Sequence, residues 1–237
     1  MDDVLIVGAG IGGLTLALTL HQAAIPCRVY ESSADIRPIG VGINVLPHAA
    51  RALASLGLRD VLVSSGIATA ESAFFNRFGQ LIYREPAGVA AGYDWPQVSI
   101  HRGTLQMLLL DAVRERLGPD SLFTGYQCVG AEQDEDGAVA LFAGRDPVRG
   151  KAVIACDGIH SAIRKQFYPN EGAPLYSGYN MWRGVTVWPR FLTGATMVRA
   201  GWLANGKMVI YPVRDRDDGR QVVNWGAGTE TPNNIDS

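Results

Sequence analysis

Hydrophobic positions near the start of the chain follow first a strand pattern and then a helix pattern. Residues 4–7 are all apolar and mostly β-branched, which is typical of a central parallel strand covered on both faces. A glycine-rich turn at 8–13 follows, and residues 14–22 then separate into an apolar and a polar face at helical spacing. Residues 28–31 predict a second strand, so the chain opens as a βαβ unit whose right-handed crossover makes the two strands parallel.

The remainder of the chain mixes helical and strand patterns. Helices are predicted at 47–56, which begins with Pro47 and is followed by Gly57, and at 105–117, which ends before a Gly-Pro pair. Strands are predicted at 73–75, 80–84, 122–130, 138–143 and 151–155, and the pattern after Pro174 is again that of strands. This alternation predicts an α/β domain that is interrupted and followed by pieces of a β-rich second domain.

Composition and charge exclude several classes of partner. The 237 residues carry a formal net charge of −2 with acidic and basic residues interleaved, so no basic field exists to gather nucleic acid or an anionic membrane. The apolar stretch 4–20 contains four glycines and follows Asp2 and Asp3, whereas a secretory signal would follow basic residues. The three cysteines are far apart and form no C-x-x-C pair, so we expect reduced thiols, no metal site and a cytoplasmic protein.

The glycine-rich turn has the spacing of a dinucleotide-binding site. Gly8, Gly10 and Gly13 form G-x-G-x-x-G, in which the first glycine permits the tight turn, the second lets a pyrophosphate approach the backbone, and the third lets the helix pack closely. Amide hydrogens at the helix start and the helix dipole would face the phosphates. Glu31 ends the second strand, where a carboxylate can accept hydrogen bonds from a ribose diol and would repel the 2′-phosphate of NADP. A glycine-rich turn without a ligand is the alternative interpretation.

Three further motifs follow in order along the chain. They are R-P-I-G-V-G-I at 37–43, H-R-G at 101–103, and D-G at 157–158 with Arg164 behind it. Together with the glycine turn and Glu31, these motifs resemble the flavoprotein aromatic hydroxylases, or class A flavin monooxygenases. The likeness is greatest to the branch that contains salicylate hydroxylase-like enzymes and the phenazine-biosynthesis monooxygenase, and it covers nearly the whole chain.

The resemblance implies a fold and a set of cofactor contacts. The fold is α/β, with a Rossmann-like FAD-binding domain on a parallel sheet and an interleaved β-rich substrate domain. The FAD-binding domain is expected at 1–72 and 99–173, a partial substrate domain at 73–98 and 174–230, and a tail at 231–237. Residues expected to contact FAD are Gly8, Gly10, Gly12, Gly13, Glu31, Arg37, Gly42, Ile43, Arg102, Asp157, Gly158 and Arg164, and those expected near the substrate are Trp182 and Arg183.

Physical reasoning leaves alternatives open for several of these side chains. A helix dipole disfavours Arg102 as a mere surface residue at a helix start, which favours a contact to a phosphate or ribityl oxygen. Asp157 could instead cap the helix that follows, and Arg164 could be a solvated helix residue. Arg183 lies among aromatic residues, where a salt bridge or a cation–π contact is as good an interpretation as a substrate contact. We assign no side chain a catalytic role.

The resemblance also implies an activity. NAD(P)H would reduce FAD, O₂ would give a flavin hydroperoxide, and an oxygen atom would pass to a small aromatic substrate such as a phenol or an aromatic acid. A homodimer is left open. The family's G-D-A-x-H motif has no counterpart before Ser237, so we expect a chain truncated at its C-terminus. Two alternatives stay open: a catalytically inactive FAD- or ADP-binding fragment that binds a partner chain, and an NAD-dependent dehydrogenase.

A smaller departure from the family concerns the end of the first helix. Ala24 stands where the family often has a glycine. If the backbone at this position is left-handed, the alanine costs about 1 kcal/mol.

Overall fold

The computed structural model describes residues 3–201 and 206–231, and within these ranges the chain forms five α-helices and sixteen strands. The helices are Ile11–Gln22 (α1), Pro47–Ser55 (α2), Arg59–Ser65 (α3), Arg102–Leu117 (α4) and Ala162–Phe167 (α5). The strands are Val4–Val7 (β1), Cys27–Glu31 (β2), Gly42–Val45 (β3), Ile67–Thr69 (β4), Glu71–Phe75 (β5), Leu81–Pro86 (β6), Gln97–His101 (β7), Leu122–Thr124 (β8), Cys128–Asp134 (β9), Gly137–Phe142 (β10), Val148–Gly150 (β11), Ala152–Ala155 (β12), Tyr179–Pro189 (β13), Thr196–Ala200 (β14), Gly206–Asp215 (β15) and Arg220–Glu230 (β16). Short 3-10 helices lie at Gly88–Ala91, Pro119–Ser121 and Gly158–His160.

The chain divides into two compact units. The first unit contains Met1–Pro38 and Leu105–Ala173, and the second unit contains Ile39–Thr104 and Pro174–Ser237. These units differ from the predicted cofactor and substrate domains at 39–72 and 99–104, because β3 and β4 both pair with β7 rather than with the parallel sheet. The assignment of segments to a cofactor domain and a substrate domain stays a prediction. Residues 232–237 of the predicted tail lie outside the described residues.

The first unit is built on a parallel sheet in the order β12-β1-β2-β8. β1 is central, and its residues Leu5, Ile6 and Val7 are buried, which explains the continuous apolar run that the sequence has there. The helix α1 crosses from β1 to β2 and packs on both strands through Leu14, Leu18 and their small neighbours. The predicted βαβ opening and the α/β fold class are confirmed.

A cluster of aromatic side chains fills the space between the parallel sheet and a three-stranded antiparallel sheet in the order β11-β10-β9. The Tyr30 ring lies 5.0 Å from the rings of both Phe123 and Phe142, centroid to centroid, and Tyr126 meets these rings edge-on. Such offset and edge-on arrangements suit the charge distribution of aromatic rings. The cluster fixes β2, and therefore Glu31 at its end, relative to β8 and β10.

The prediction of one continuous strand at 122–130 is wrong. β8 ends at Thr124 and β9 begins at Cys128, and the two strands belong to different sheets. Gly125 has a φ of +69°, a left-handed conformation that favours glycine and turns the chain between the sheets. The amide of Gly125 donates to the Ser33 carbonyl at 3.0 Å, which ties this turn to the segment after β2.

The second unit contains a six-stranded sheet in the order β13-β16-β15-β14-β5-β6 and a three-stranded sheet in the order β3-β7-β4. All neighbours in the larger sheet are antiparallel except β14 and β5. Its buried centre includes Met197, Tyr211 and Val213. The Gly42 amide donates to the Asn224 side-chain oxygen at 2.7 Å, so β3 is joined to β16 of the larger sheet.

The backbone just after α1 is left-handed at a residue that is not glycine. Ala24 has a φ of 55°, so this alanine does adopt the left-handed conformation. We expect Ala24→Gly to stabilise the protein by about 0.5–1 kcal/mol, since the strain relieved at a left-handed alanine exceeds the entropy that glycine adds to the unfolded chain. Urea unfolding followed by circular dichroism measures this change.

The neighbouring Ala23 is the matched control for that measurement. Its φ of −84° and ψ of 6° are ordinary for alanine. Ala23→Gly should therefore lower the urea midpoint, because it adds unfolded-state entropy and relieves no strain. Equal shifts in the two variants would contradict the strain at Ala24.

Candidate functional site

The glycine turn between β1 and α1 is required by the protein's own packing at two of its positions. Gly8 has a φ of +104°, and a β-carbon placed on it would lie 2.5 Å from the Cys156 carbonyl oxygen. A β-carbon on Gly13 would lie 1.9 Å from the Gly8 carbonyl oxygen, so α1 approaches the end of β1 more closely than a side chain permits. No described atom lies within 4 Å of a β-carbon placed on Gly10 or Gly12. Gly10 therefore leaves open space beside the backbone.

The start of α1 presents amide hydrogens beside this open space. The Gly8 amide donates to the Tyr30 carbonyl at 2.7 Å, and the first α-helical hydrogen bond runs from Leu14 to the Gly10 carbonyl. The amides of Ile11, Gly12 and Gly13 come before Leu14 in the helix, so they have no partner in the helical hydrogen-bond pattern. Gly10, the residue that precedes the helix, has no side chain that could cap them. Free amides and the positive end of the helix dipole favour an anion at this position.

Glu31 lies directly against the turn. Its Oε2 accepts a hydrogen bond from the Ala9 amide at 2.8 Å, and its Oε1 accepts from the Ser33 amide at 2.9 Å and the Ser32 hydroxyl at 3.0 Å. Partial burial raises the pKa of this carboxyl, but the hydrogen bonds lower it more, so the net pKa lies below the ordinary value of 4.5. The carboxylate is charged at neutral pH and has lone pairs left for a ribose hydroxyl.

The segment after β12 supplies a second carboxylate. Oδ2 of Asp157 accepts a hydrogen bond from the Ala162 amide at 2.9 Å, so this aspartate does support the start of α5. Its Oδ1 is buried and has no hydrogen-bond partner within the described part of the chain. Gly158 follows with a φ of +76°, and a β-carbon there would meet nothing within 4 Å among the described atoms. A buried acceptor without a donor is costly, and it therefore marks a place for a donor from a ligand or water.

These groups converge on one cavity of about 860 Å³ within the first unit, a size within the usual range for small-molecule and cofactor sites. The carboxyl-terminal ends of the parallel strands β1, β2 and β12 border this cavity. Parallel α/β sheets bind their ligands at this end of the strands. Burial raises the pKa of the Cys128 and Cys156 thiols at its wall, so neither is an activated nucleophile. Lining residues include Gly8, Gly10, Glu31, Tyr126, Cys128, Cys156, Asp157, Gly158, His160 and Lys165.

The residues of this cavity fit an adenine dinucleotide. Amides at the start of α1 suit a diphosphate, Glu31 suits a ribose diol, and the unsatisfied Oδ1 of Asp157 suits a further hydroxyl donor. His160 and Lys165 add basic groups at the wall. The arrangement can bind and orient a nucleotide cofactor.

Several residues at this site were not predicted from the sequence, and Gln106 and Tyr126 are the two that contact the glycine turn or Glu31. Gln106 in α4 donates from Nε2 to the Ala9 carbonyl at 2.9 Å, so it holds the glycine turn from outside. In the sequence, Gln106 is distinguished only as the one polar residue within the apolar run of 105–110. Tyr126 lines the cavity, and its amide donates to the Glu31 carbonyl at 2.8 Å. No sequence pattern indicated this second contact, because it depends on the turn that Gly125 makes.

Two predicted arginines of the first unit are engaged in the protein's own structure. Arg164 forms an ion pair with Glu171 at 2.9 Å and donates to the Ile159 carbonyl at 2.6 Å. It therefore stabilises the turn after Asp157, and it does not line the cavity that holds the glycine turn. Arg37 is exposed and forms an ion pair with Asp35 at 2.7 Å.

The remaining predicted residues lie in the second unit. A β-carbon on Gly42 would lie 2.7 Å from side-chain atoms of Asn224 and Tyr211, so close packing requires this glycine. Ile43 lies beside it in β3 and pairs with a strand residue of β7. Arg102 is the first residue of α4, where its side chain is exposed and its amide donates to the Val41 carbonyl at 2.8 Å.

The two predicted substrate residues lie next to each other in β13. Trp182 is 49% exposed, and the Arg183 Nε lies 3.0 Å from the Met181 sulfur. Neither of the alternatives raised for Arg183, a salt bridge or a cation–π contact, occurs with a partner among residues 3–201 and 206–231. A substrate role for both residues stays a prediction.

Residues 3–201 and 206–231 contain neither a cluster of metal-ligating side chains nor a helix suited to cross a membrane. In the parts of the chain that the structure describes, no group of three or more His, Cys, Asp or Glu side chains could hold a metal ion. None of the helices described there has the length and apolar character needed to cross a membrane.

The chain is similar to known proteins over most of its length. The model of the FAD binding domain family matches residues 1–231. Phenazine 1,6-dicarboxylic acid hydroxylase PhzS from Lysobacter antibioticus is 42% identical over 232 residues, which are 94% of this chain and 57% of that protein. The FAD-dependent urate hydroxylase of Klebsiella pneumoniae is 31% identical over 183 residues, 76% of this chain and 47% of that protein.

A solved structure extends the likeness to the whole fold. The crystal structure of Klebsiella pneumoniae HpxO complexed with FAD and uric acid has a TM-score of 0.82 and 25% identity, and the match covers 100% of this chain and 58% of that one. The chain thus spans about half the length of the curated relatives that it matches.

Proposed function

This chain belongs to the family of FAD-dependent aromatic hydroxylases, and we propose that it acts as a flavin monooxygenase that hydroxylates a small, electron-rich aromatic substrate with NAD(P)H and O₂. FAD is the cofactor that the family implies. The observation that carries the proposal is the convergence of the glycine turn, Glu31 and the unsatisfied Asp157 oxygen on one cavity.

The first unit would hold the adenosine and diphosphate parts of FAD. Gly10 and Gly12 let the diphosphate approach the backbone, and the amides at the start of α1 donate to its oxygens. Glu31 would accept from the ribose while its bonds to Ala9 and Ser33 keep the turn in shape. The close packing at Gly8 and Gly13 sets the position of these amides in advance of binding, which reduces the entropy that binding costs.

The D-G segment would support a further part of the cofactor. Oδ1 of Asp157 is buried and lacks a donor in the described chain, so a hydroxyl of the FAD ribityl chain would satisfy it. Gly158 leaves room for this approach. Arg164 would act as a positioning residue, because its bonds to the Ile159 carbonyl and Glu171 hold the turn that carries Asp157.

Further predicted residues complete the proposed contacts. The Arg102 guanidinium is exposed and makes no ion pair in the described part of the chain, so it is available to an anionic or ribityl oxygen. Gly42 and Ile43 would run beside the flavin, and Arg37 would contact FAD only after leaving Asp35. Trp182 and Arg183 remain proposed substrate contacts.

Bound FAD would supply the redox chemistry, namely the acceptance of electrons from NAD(P)H and the activation of O₂. The chain's own contribution would be to bind, orient and shield the reacting groups. An aromatic substrate is supported by the relatives, whose names include a phenazine dicarboxylic acid hydroxylase and a urate hydroxylase.

FAD titration tests the proposal. We expect saturable binding with a perturbed flavin absorption spectrum, and oxidation of NADH or NADPH that an added hydroxybenzoate or phenazine carboxylate accelerates. Binding of FAD without such turnover would support the non-catalytic FAD-binding alternative. Folded protein that binds neither FAD nor ADP, or that oxidises an alcohol with NAD and without flavin, would overturn the proposal.

A further inference from the structure

The peptide group between Ala9 and Gly10 lies within the glycine turn and is held from one side. Gln106 in α4 donates from Nε2 to the Ala9 carbonyl at 2.9 Å. The Gly10 amide of the same peptide group forms no hydrogen bond with another residue in the ranges that the structure describes. Ala9 is completely buried, so the bond from Gln106 is shielded from bulk water.

The bond from Gln106 determines the direction of the Gly10 amide. The described residues contain no cis peptide bond, and in a planar trans peptide the carbonyl oxygen and the amide hydrogen point in opposite directions. Since Gln106 holds the Ala9 carbonyl toward α4, the Gly10 amide hydrogen points away from α4. Gly10 lines the cavity of about 860 Å³ described above and Gln106 does not, so the amide is on the side of this cavity, which we call the first-unit cavity.

A glycine at position 10 makes such a restraint necessary. Gly10 has a φ of −71°, and rotation of the Ala9–Gly10 peptide group by about 180° would give it a positive φ, which glycine adopts readily and other residues do not. The rotated peptide would present a carbonyl oxygen to the first-unit cavity in place of the amide hydrogen, and this oxygen would repel an anion. The peptide group therefore has an alternative orientation that would oppose phosphate binding.

Glu31 does not supply the same restraint. Its Oε2 accepts from the Ala9 amide at 2.8 Å, but that amide belongs to the preceding peptide group, between Gly8 and Ala9. The Ala9 carbonyl can only accept, so it requires a donor, and the NH₂ group of Gln106 is the side-chain donor that reaches it in the described part of the chain. The two side chains thus fix two successive peptide groups of the turn.

We infer that Gln106 is a positioning residue for diphosphate binding, because it holds the Ala9–Gly10 peptide group so that the Gly10 amide donates into the first-unit cavity. Gln106 acts through the backbone and not through contact with the ligand. The identity of the natural diphosphate as that of FAD rests on the proposed function. The inference itself requires neither a flavin nor turnover, since ADP supplies the same group.

ADP and adenosine are matched probes of this role, because they share the nucleoside and differ in the diphosphate. Calorimetry gives the Kd of each for the full chain. We expect Gln106→Met, which keeps the length and helix propensity of the side chain but cannot donate, to raise the Kd of ADP about three- to tenfold and to leave that of adenosine nearly unchanged. A change that only loosened the fold would weaken both probes in proportion. An unchanged ratio of the two Kd values overturns the inference.

Gln166→Met is the control variant. Gln166 in α5 also bonds to the backbone of the first unit, since its Nε2 donates to the Ala131 carbonyl at 2.6 Å and its Oε1 accepts from the Ala131 amide at 2.9 Å. These bonds lie on β9 and not on the glycine turn. The ratio of the ADP and adenosine Kd values should therefore stay at its wild-type value. Equal effects of Gln106→Met and Gln166→Met on this ratio overturn the inference.

Gln106→Glu tests the need for a donor within a single variant. At neutral pH its carboxylate cannot donate to the Ala9 carbonyl, so ADP should bind at least as weakly as to Gln106→Met. As the pH falls toward about 4, this carboxyl becomes protonated and can donate, so the affinity for ADP should recover relative to wild type at the same pH. Circular dichroism confirms that each variant is folded. An affinity that stays equally low relative to wild type down to about pH 4 overturns the inference.

Failure of the proposed function would look different. A folded wild-type chain that binds ADP no better than adenosine would overturn the assignment of a diphosphate to the first-unit cavity, and the role of Gln106 with it. A wild-type chain that prefers ADP, with a preference that Gln106→Met leaves intact, would overturn the role of Gln106 alone.

Discussion

Gly13→Ala will destabilise the protein by about 1–3 kcal/mol or more and will largely abolish FAD binding. The added methyl group would lie 1.9 Å from the Gly8 carbonyl oxygen, where no side chain can move aside because the obstacle is backbone. Relief requires α1 to move away from β1. The same movement displaces the amides at the start of α1 and separates Ala9 from the Glu31 carboxylate, which it now meets at 2.8 Å.

Gly12→Ala is the matched control. Gly12 is the neighbouring residue in the first turn of α1, yet a β-carbon there meets no described atom within 4 Å. Alanine exceeds glycine in helix propensity by about 1 kcal/mol, so the free energy of unfolding of this variant should be unchanged or higher. Urea unfolding measured by circular dichroism separates the two variants in the absence of cofactor. Equal urea midpoints would contradict the close approach of α1 to β1.

The part of the site that the sequence predicts is the part encoded by neighbouring residues. A buried strand, a glycine turn, a helix and an acid follow one another within residues 4–31, so their spatial relation is set by local geometry. The same holds for Ala24, whose left-handed backbone follows from how helices end. Such features depend on few contacts that are distant in sequence.

The contacts that escaped prediction join residues far apart along the chain. Gln106 bonds to Ala9 from 97 positions away, and Asn224 bonds to Gly42 from 182 positions away. No periodicity specifies which polar residue will reach which backbone group.

The division into two compact units also depends on contacts between strands that are distant in the sequence. The short strands β3 and β4 have too few residues for a clear alternating pattern, and only their pairing with β7 places them in the second unit. The wrong assignment at 122–130 had a different cause, since the apolar residues on both sides of Gly125 suit a strand equally well. There the backbone conformation of one glycine decided the outcome.

Glu31→Gln will weaken FAD binding by about tenfold or more, because a carboxylate accepts on both oxygens whereas a carboxamide accepts on only one. Oε1 and Oε2 of Glu31 each accept a backbone amide, from Ser33 and Ala9 respectively. In the variant, one of these amides would face the glutamine NH₂ group, which is itself a donor and cannot accept its hydrogen bond. The turn would lose one of its supports, and the ribose would lose its charged acceptor.

The dependence of the free energy of unfolding on pH tests the role of the Glu31 carboxylate independently of FAD binding. The pKa of Glu31 in the folded protein lies below its ordinary value of 4.5, so its charge stabilises the fold above about that pH, and this stabilisation is lost as the pH falls through the lowered pKa. The free energy of unfolding should therefore fall more steeply below pH 4.5 in the wild type than in Glu31→Gln. Asp134, whose pKa the Arg149 guanidinium lowers to about 2, contributes equally to both proteins and cancels in the difference.

Glu132→Gln separates the role of Glu31 from a general loss of negative charge. Glu132 is exposed on β9, and its replacement changes the net charge by the same amount. FAD titration at neutral pH and urea unfolding at neutral pH and below pH 4 should leave this control close to the wild type. If Glu31→Gln matched the control in both measurements, the Glu31 carboxylate would neither support the glycine turn nor bind the ribose. The assignment of this cavity to FAD would then be contradicted at its principal side chain.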